Sequence, residues 1–564
     1  MTQAGCGRRM KRIAGAVRFN CDRHACFVKT LHGTGEIMIN QQRVRALSVA
    51  AAASLSLLLC ASISFANGSD GDANEPVPLT GSVPKATCGR EDHIESGLQG
   101  QTTPEERSSG DSERAYGCNL ALVSQFKGEG SVSQNGPAYF GNCAYYATND
   151  NAQQKHLGVA VLDVSNTSHP VAAAYLADTP SMLNPHETLR AHAGRELLAA
   201  AQNNGSNFAV YTLAHDCREP KLLASIDLPG SQAHMGNFTP DGRTYYLGQN
   251  NRGIGGFVYP VDLDDPASPK ELTPWQYLGD GRPHGMYLNA AGTRMYAGQP
   301  GLFGNTGSSI GPDGLVIEDV SDYQFRRPNP QIKIISKLFW TDQGQVEDMY
   351  PYFAHGHHYL VSSDESGGAG GVGGLAGACA RGAAAYGYPN IIDITDENNP
   401  RIVQKLRLQV SDPVNCHLML NDPPDTGAGA PEYSQERCVP DRQDDPRMLA
   451  CTFHNAGLRV FDIRDLRHPR EIAYYKPPAP RTAVLPGSGS WAPGVDLTVD
   501  RIAGYPRFNW VDQDNDHDYD RDRNHDHGRH ERELQIWTVS DGNGFQVLHF
   551  TDSFKERNHD LFEN

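Results

Sequence analysis

The stretch Gly457-Leu-Arg-Val-Phe-Asp462, followed by Pro469, decides the fold. Its apolar residues fall two apart, a glycine opens the run, an aspartate closes it, and a proline precedes the next apolar segment. That pattern predicts a strand, a tight turn and a second strand. The same phrase recurs as Gly158-Val-Ala-Val-Leu-Asp163 with Pro170, Gly256-Phe-Val-Tyr-Pro-Val-Asp262 with Pro269, and Gly314-Leu-Val-Ile-Glu-Asp319 with Pro328. It returns as Asn390-Ile-Ile-Asp393 with Pro400, and Gly544-Phe-Gln-Val-Leu-His549 is a degenerate copy.

A unit of roughly 45 to 65 residues, each worth about four strands, is the signature of a β-propeller. The predicted fold is therefore all-β, a seven-bladed propeller of four-stranded blades, with six or eight blades also compatible with the count. Blades are expected near residues 120–180, 181–231, 232–280, 281–343, 344–413, 414–480 and 481–551. Leu120–Phe126 has no blade of its own before it and is expected to supply the outer strand that closes the ring against the last blade.

The clearest copies, Gly457-Leu-Arg-Val-Phe-Asp-Ile with His468-Pro469 and Gly158-Val-Ala-Val-Leu-Asp-Val with His169-Pro170, resemble the LVIVD repeat family. These β-propeller proteins occur mostly among exported bacterial proteins. The resemblance implies the fold and an exported setting, and it carries no activity that can be transferred residue by residue.

Residues 1–66 read as an over-extended gene start, to about Met38, followed by a secretory signal. An apolar segment from Leu47 to Ala66 follows Arg43 and Arg45 and ends in Ser64-Phe65-Ala66. A membrane anchor is the alternative for that segment, since its length is near that of a span. Residues 67–115, rich in Gly, Ser, Pro and charge, are expected to form a flexible leader. Residues 116–551 form the propeller and 552–564 a C-terminal tail. Cleavage after Ala66 leaves eight cysteines, Cys88, Cys118, Cys143, Cys217, Cys379, Cys416, Cys438 and Cys451, an even number compatible with disulfides in a periplasmic or secreted protein. Their pairing is left open.

A net charge of −17 in a chain that is 20% charged and 38% hydrophobic opposes nucleic-acid binding and fits an ordinary soluble domain. The phosphate-binding P-loop pattern and the zinc-protease H-E-x-x-H motif are absent.

Four histidines stand in equivalent surroundings: His186, His234, His284 and His417. The first three precede Gly194, Gly242 and Gly292 in fixed register, as expected of the first strand of a blade and the hairpin after it. First strands line the axis of a propeller, so these imidazoles are expected to share one transition-metal ion. Copper, iron and zinc all remain open. The same register places Asp348 before Gly356, with Glu347 competing, and Asp496 before Gly504. Asp348 and Asp496 are candidate catalytic carboxylates that would hold ring N–H groups. His454, at the end of a second strand on the same face, is a further candidate proton carrier or ligand.

Two propeller groups carry histidine-bound metal at this place, the carotenoid cleavage oxygenases with iron and the selenium-binding or methanethiol oxidase proteins with copper. This chain is similar to them only in placing histidines on several inner strands. The expectation is a metal-dependent oxidoreductase, an oxidase or oxygenase of a small molecule. Two alternatives stay open: a non-catalytic propeller that binds a protein, peptide or glycan, and a metal-storing or metal-delivering protein. The cluster His355 to His358 reads as a solvated hairpin turn. The tract from Asp512 to His530 resembles the start of a calcium loop but lacks its glycine and glutamate, so a solvated insertion is favoured over calcium binding. Gly301 to Gly311 and Gly367 to Gly387 are expected to fold over the axial mouth.

Overall fold

A computed structural model describes the backbone strands at 17–22, 25–30 and 37–40 and residues 78–563 apart from 129–135, 149–154, 250–255, 280, 304–308, 311–312, 343, 371–372, 423–432, 482–496 and 513–531. The chain divides into two units, Met1–Glu75 and Pro76–Asn564. In the first, Val17–Asp22, Ala25–Thr30 and Ile37–Asn40 pair as a three-stranded antiparallel sheet. The expected signal segment lies outside the described residues.

The second unit is a seven-bladed β-propeller of antiparallel, mostly four-stranded blades. Blades 1 to 7 run from Ala138, Arg190, Ala233, Met286, Val346, Arg437 and Arg507, as the start of each inner strand, to Leu176, Asp227, Gln276, Trp340, Lys405, Lys476 and Phe550. Leu120–Phe126 pairs with Gly544–Phe550 as the outer strand of blade 7, so residues from before blade 1 complete the last blade and close the ring. Tyr116–Cys118 adds a fifth strand to blade 6.

The recurring aspartate has a common task. The carboxylates of Asp163, Asp262, Asp319, Asp393 and Asp462 accept hydrogen bonds from the backbone N–H of Ser165, Asp264, Ser321, Thr395 and Arg464 at 2.9–3.2 Å. Each is an Asx turn that steers the third strand into the fourth. The third strands are apolar on both faces because each blade is covered by a neighbour on each side. Tyr145 and Val161 of blade 1 pack with Leu198 and Ala209 of blade 2, and Phe208 and Val210 of blade 2 with Tyr245 and Val261 of blade 3. Equivalent clusters fill the other interfaces, and Trp537 and Val547 of blade 7 meet Tyr146 and Leu162 of blade 1.

Residues 78–115 differ from the flexible leader expected of their composition. Val83 is buried, the helix Pro104–Ser109 is held by a capping box from Thr103, and Glu95 is buried against Arg459 at 2.7 Å. Buried partners outweigh the polar composition, and the segment is strapped across blade 6. The tail also packs, with Phe554 and Leu561 buried between blades 6 and 7. All eight expected cysteines are paired: Cys88–Cys118, Cys143–Cys217, Cys379–Cys416 and Cys438–Cys451. Among the described residues no helix is long and apolar enough to cross a membrane.

Candidate metal centre

His186 and Glu187 lie just before the inner strand Arg190–His192 of blade 2, His234 is the second residue of Ala233–Phe238 in blade 3, and His284 lies just before Met286–Leu288 in blade 4. The ring centroids of His186 and His234 are 4.5 Å apart and those of His234 and His284 4.8 Å apart. Three successive blades thus bring three imidazoles to one place. Blade 5 adds Glu347 and Asp348, from Val346–Ala354, and blade 6 adds Glu436 and Arg437 at the start of Arg437–Pro440. The blades approach closely here. Gly285 N–H donates to the Glu347 carbonyl at 2.7 Å, and a Cβ at position 285 would lie 2.3 Å from that oxygen, so only glycine fits.

Arg437, itself buried, reaches Glu187 at 3.0 Å, Glu347 at 3.3 Å, Glu436 at 3.4 Å and Asp348 at 3.7 Å. One guanidinium does not balance four carboxylates away from water, and such a group ordinarily recruits protons or cations. Burial, and the nearby carboxylates after it, push the Glu436 carboxyl well above its usual range. Burial together with the charges of Glu347 and Glu187 does the same to the half-buried Glu365.

The histidines are presented as ligands ordinarily are. His284 Nδ1 lies 3.0 Å from Glu347 Oε2, while its Nε2 stands 3.6 Å from Glu187 Oε2 with no hydrogen-bond partner among the described residues. His454 Nδ1 lies 2.9 Å from the Ser434 carbonyl, which can only accept, so the proton sits on Nδ1. Its Nε2 is buried, 3.7 Å from Glu436 Oε2, with no hydrogen bond among the described residues. Nδ1 of His234 and both carboxylate oxygens of Glu436 also lack hydrogen bonds among the described residues. An imidazole with one nitrogen fixed by an acceptor and the other bare is the usual presentation of a metal-binding histidine. Burial depresses His186, His234 and His454, with neighbouring imidazoles or arginines adding to the effect, so their rings are neutral with a lone pair available. Burial alone would lower His284 as well, but Glu347 and Glu187 overcome it and its pKa is raised.

Two sets of donors have atoms within 4.8 Å of one another around Glu187: His186, Glu187 and His234, and Glu187, His284 and Glu347. A third set is Glu365, Glu436 and His454. Donors of this kind suit zinc, iron or copper, and the carboxylates extend the range to manganese.

Five sequence expectations need correction or restriction. His417 does not join the group: it is exposed on the short helix Cys416–Met419, in an insertion tied down by Cys379–Cys416. The inner strand of blade 6 begins later, at Arg437, and Glu436 and Arg437 take the axial position. Asp348 reaches the axis but holds no imidazole; its carboxylate accepts from the Tyr505 hydroxyl, and Glu347 beside it holds His284. Asp496 and most of the calcium-like tract lie outside the described residues. Gly504, expected in the first hairpin of blade 7, precedes that blade's inner strand Arg507–Asp512.

His454 lies in the group, at the junction after the second strand Met448–Phe453. The cluster at His355, His357 and His358 is an exposed turn, as expected, with His355 at φ 52°. Sequence reasoning missed Glu187, Glu365, Glu436 and Arg437. A signal for blade 6 existed: Asp445, eight residues after Arg437, takes a left-handed φ of 45° in the hairpin where blades 3, 4 and 5 use Gly242, Gly292 and Gly356. An aspartate can adopt that conformation, so the register was masked by the missing glycine.

No family model matches this chain, and no curated protein matches it. Among solved structures the chain is similar to Sqt1 of Saccharomyces cerevisiae, at 10% identity and a TM-score of 0.41 over 76% of this chain and 99% of that one. It is similar to a periplasmic gluconolactonase of Pseudomonas aeruginosa, at 12% identity and a TM-score of 0.41 over 73% and 99%. It is also similar to the β-propeller domain of Swd1 from Myceliophteria thermophila, at 9% identity and a TM-score of 0.42 over 77% and 100%.

Proposed function

We propose that this propeller is an exported metalloprotein in which His186, His234 and His284, with Glu187, bind a divalent transition-metal ion on the axis, and that the centre supports oxidation or oxygenation of a small molecule. The observation that carries the reading is the bare, buried nitrogen of His284, whose opposite nitrogen is fixed by Glu347, facing Glu187 beside two further neutral imidazoles. A metal held this way supplies Lewis acidity, or redox chemistry if it is iron or copper, at open coordination positions. The protein's own part is to fix the ring orientations through Glu347, to counter the carboxylate charge through Arg437, and to keep the His186 and His234 rings unprotonated. Export is supported by four disulfides, which persist in oxidising compartments.

Elemental analysis of the purified protein tests the reading. The expected result is stoichiometric zinc, iron or copper, lost in His234→Ala and His284→Ala, with oxygen uptake on small-molecule substrates abolished alongside. Protein that stays metal-free after incubation with each ion would overturn it.

A further inference from the structure

We propose that Glu365, Glu436 and His454 hold a second divalent cation, so that the axis of the propeller carries two metal positions with different donor sets. The proposal rests on the reading of the axial group as a metal centre and adds a site to it. These three residues come from another part of the fold than the three-histidine group. Glu365 and His454 follow the second strands of blades 5 and 6, His357–Asp364 and Met448–Phe453, and Glu436 precedes the inner strand of blade 6. Ligand atoms of all three lie within 4.8 Å of one another.

Two observations point to a ligand here. His454 is fully buried, its Nδ1 is committed to the Ser434 carbonyl, and its bare Nε2 faces Glu436. Glu436 is fully buried as well, and neither of its oxygens receives a hydrogen bond among the described residues. A buried carboxyl and a buried imidazole nitrogen, neither hydrogen-bonded among the described residues and 3.7 Å apart, are a costly arrangement that a cation between them relieves. Glu365, the third donor, is half-buried.

Arg437 contacts both donor sets. Its Nη2 lies 3.0 Å from Glu187 Oε1 and 3.4 Å from Glu436 Oε1, a fixed positive charge shared by the two. Gln345 links them from behind, donating to Glu347 at 2.8 Å and to Glu365. The first set is rich in imidazole and suits zinc, copper or iron. The second, with one imidazole and two carboxylates, suits harder ions such as manganese or iron(II).

The test uses the full protein stripped with a chelator and titrated with Co2+ alone, an ion that accepts both donor sets, with bound cobalt counted after desalting. Wild type is expected to retain two equivalents. Glu436→Gln and Glu365→Gln, which keep side-chain size, are expected to retain one, as are His454→Ala and, for the opposite site, His234→Ala. A single equivalent in wild type that survives His454→Ala and Glu436→Gln overturns the second site alone. A single equivalent lost in both His234→Ala and His454→Ala means one shared centre and also overturns it. No bound cobalt in wild type overturns this proposal together with the reading it rests on.

Discussion

Nδ1 of His284 stands 3.0 Å from Oε2 of Glu347, and both side chains are buried at the propeller axis. The carboxylate accepts from Nδ1 and fixes the ring, while Nε2, 3.6 Å from Glu187, makes no hydrogen bond among the described residues. Glu347→Gln keeps the size and removes the charge that holds this tautomer. Metal affinity at the three-histidine site should fall about 10- to 100-fold, with the stoichiometry at saturation unchanged. Competitive titration against a chromophoric chelator measures this, and equal affinity in both proteins would remove Glu347 from the site.

His417 provides the opposite case. It is exposed in the insertion between blades 5 and 6 and belongs to none of the axial donor sets among the described residues. His417→Ala should therefore leave metal content unchanged and alter stability by no more than about 0.5 kcal/mol. Loss of bound metal in this variant would contradict the blade 6 register.

The contrast between His284 and His417 shows what the chain makes legible. The strand phrase ending in Asp163, Asp262, Asp319, Asp393 and Asp462 is local, because each aspartate caps its own turn two residues on. Counted together with the degenerate copy Gly544–His549 and the histidine-bearing segments, it gives the seven blades and the closing role of Leu120–Phe126. His186, His234 and His284 were legible because a glycine hairpin follows each at a fixed distance. Blade 6 breaks that rule with Asp445, and a long insertion carrying His417 supplied a false match. Glu365 lies outside that register, and Glu436 and Arg437 occupy it without the glycine that marks it in blades 3, 4 and 5; the group assembles only when blades 5 and 6 converge. The buried strap at 78–115 was illegible for the same reason, since its polar composition is satisfied by partners hundreds of residues away, such as Arg459 for Glu95.

Glu318, in the third strand of blade 4, makes a pH-dependent contribution. Burial raises its carboxyl from 4.5 to about 7, against only the Leu278 N–H at 3.3 Å and weak help from Trp275 and Lys337. Because the folded pKa lies above the unfolded one, the folded state binds the extra proton between these values. Stability is therefore lost as pH rises from about 4.5 through 7, by roughly 3 kcal/mol for this group. Glu318→Gln should be nearly neutral at pH 4.5 and stabilising at pH 8. Urea unfolding at the two pH values measures it, and an equal effect at both would show that Glu318 does not titrate in this window.

Arg459 tests whether the strap at 78–115 belongs to the folded unit. Its guanidinium is buried in blade 6 between Glu95 of the strap, at 2.7 Å, and Glu471 of the blade, at 3.0 Å. Arg459→Met fills similar space but leaves two carboxylates buried without their shared cation, a change that ordinarily costs about 3–5 kcal/mol. The simplest relief is for Glu95 to leave, which carries the strap into water while the seven blades stay closed through Leu120–Phe126. Limited proteolysis should then cut Arg459→Met between residues 78 and 115 at least tenfold faster than wild type, with the propeller fragment resistant. Glu95→Gln in the same background should restore part of the resistance by removing one of the stranded charges. Equal cleavage rates in wild type and Arg459→Met would mean that apolar contacts such as that of Val83, and not the ion pair, hold the strap in place.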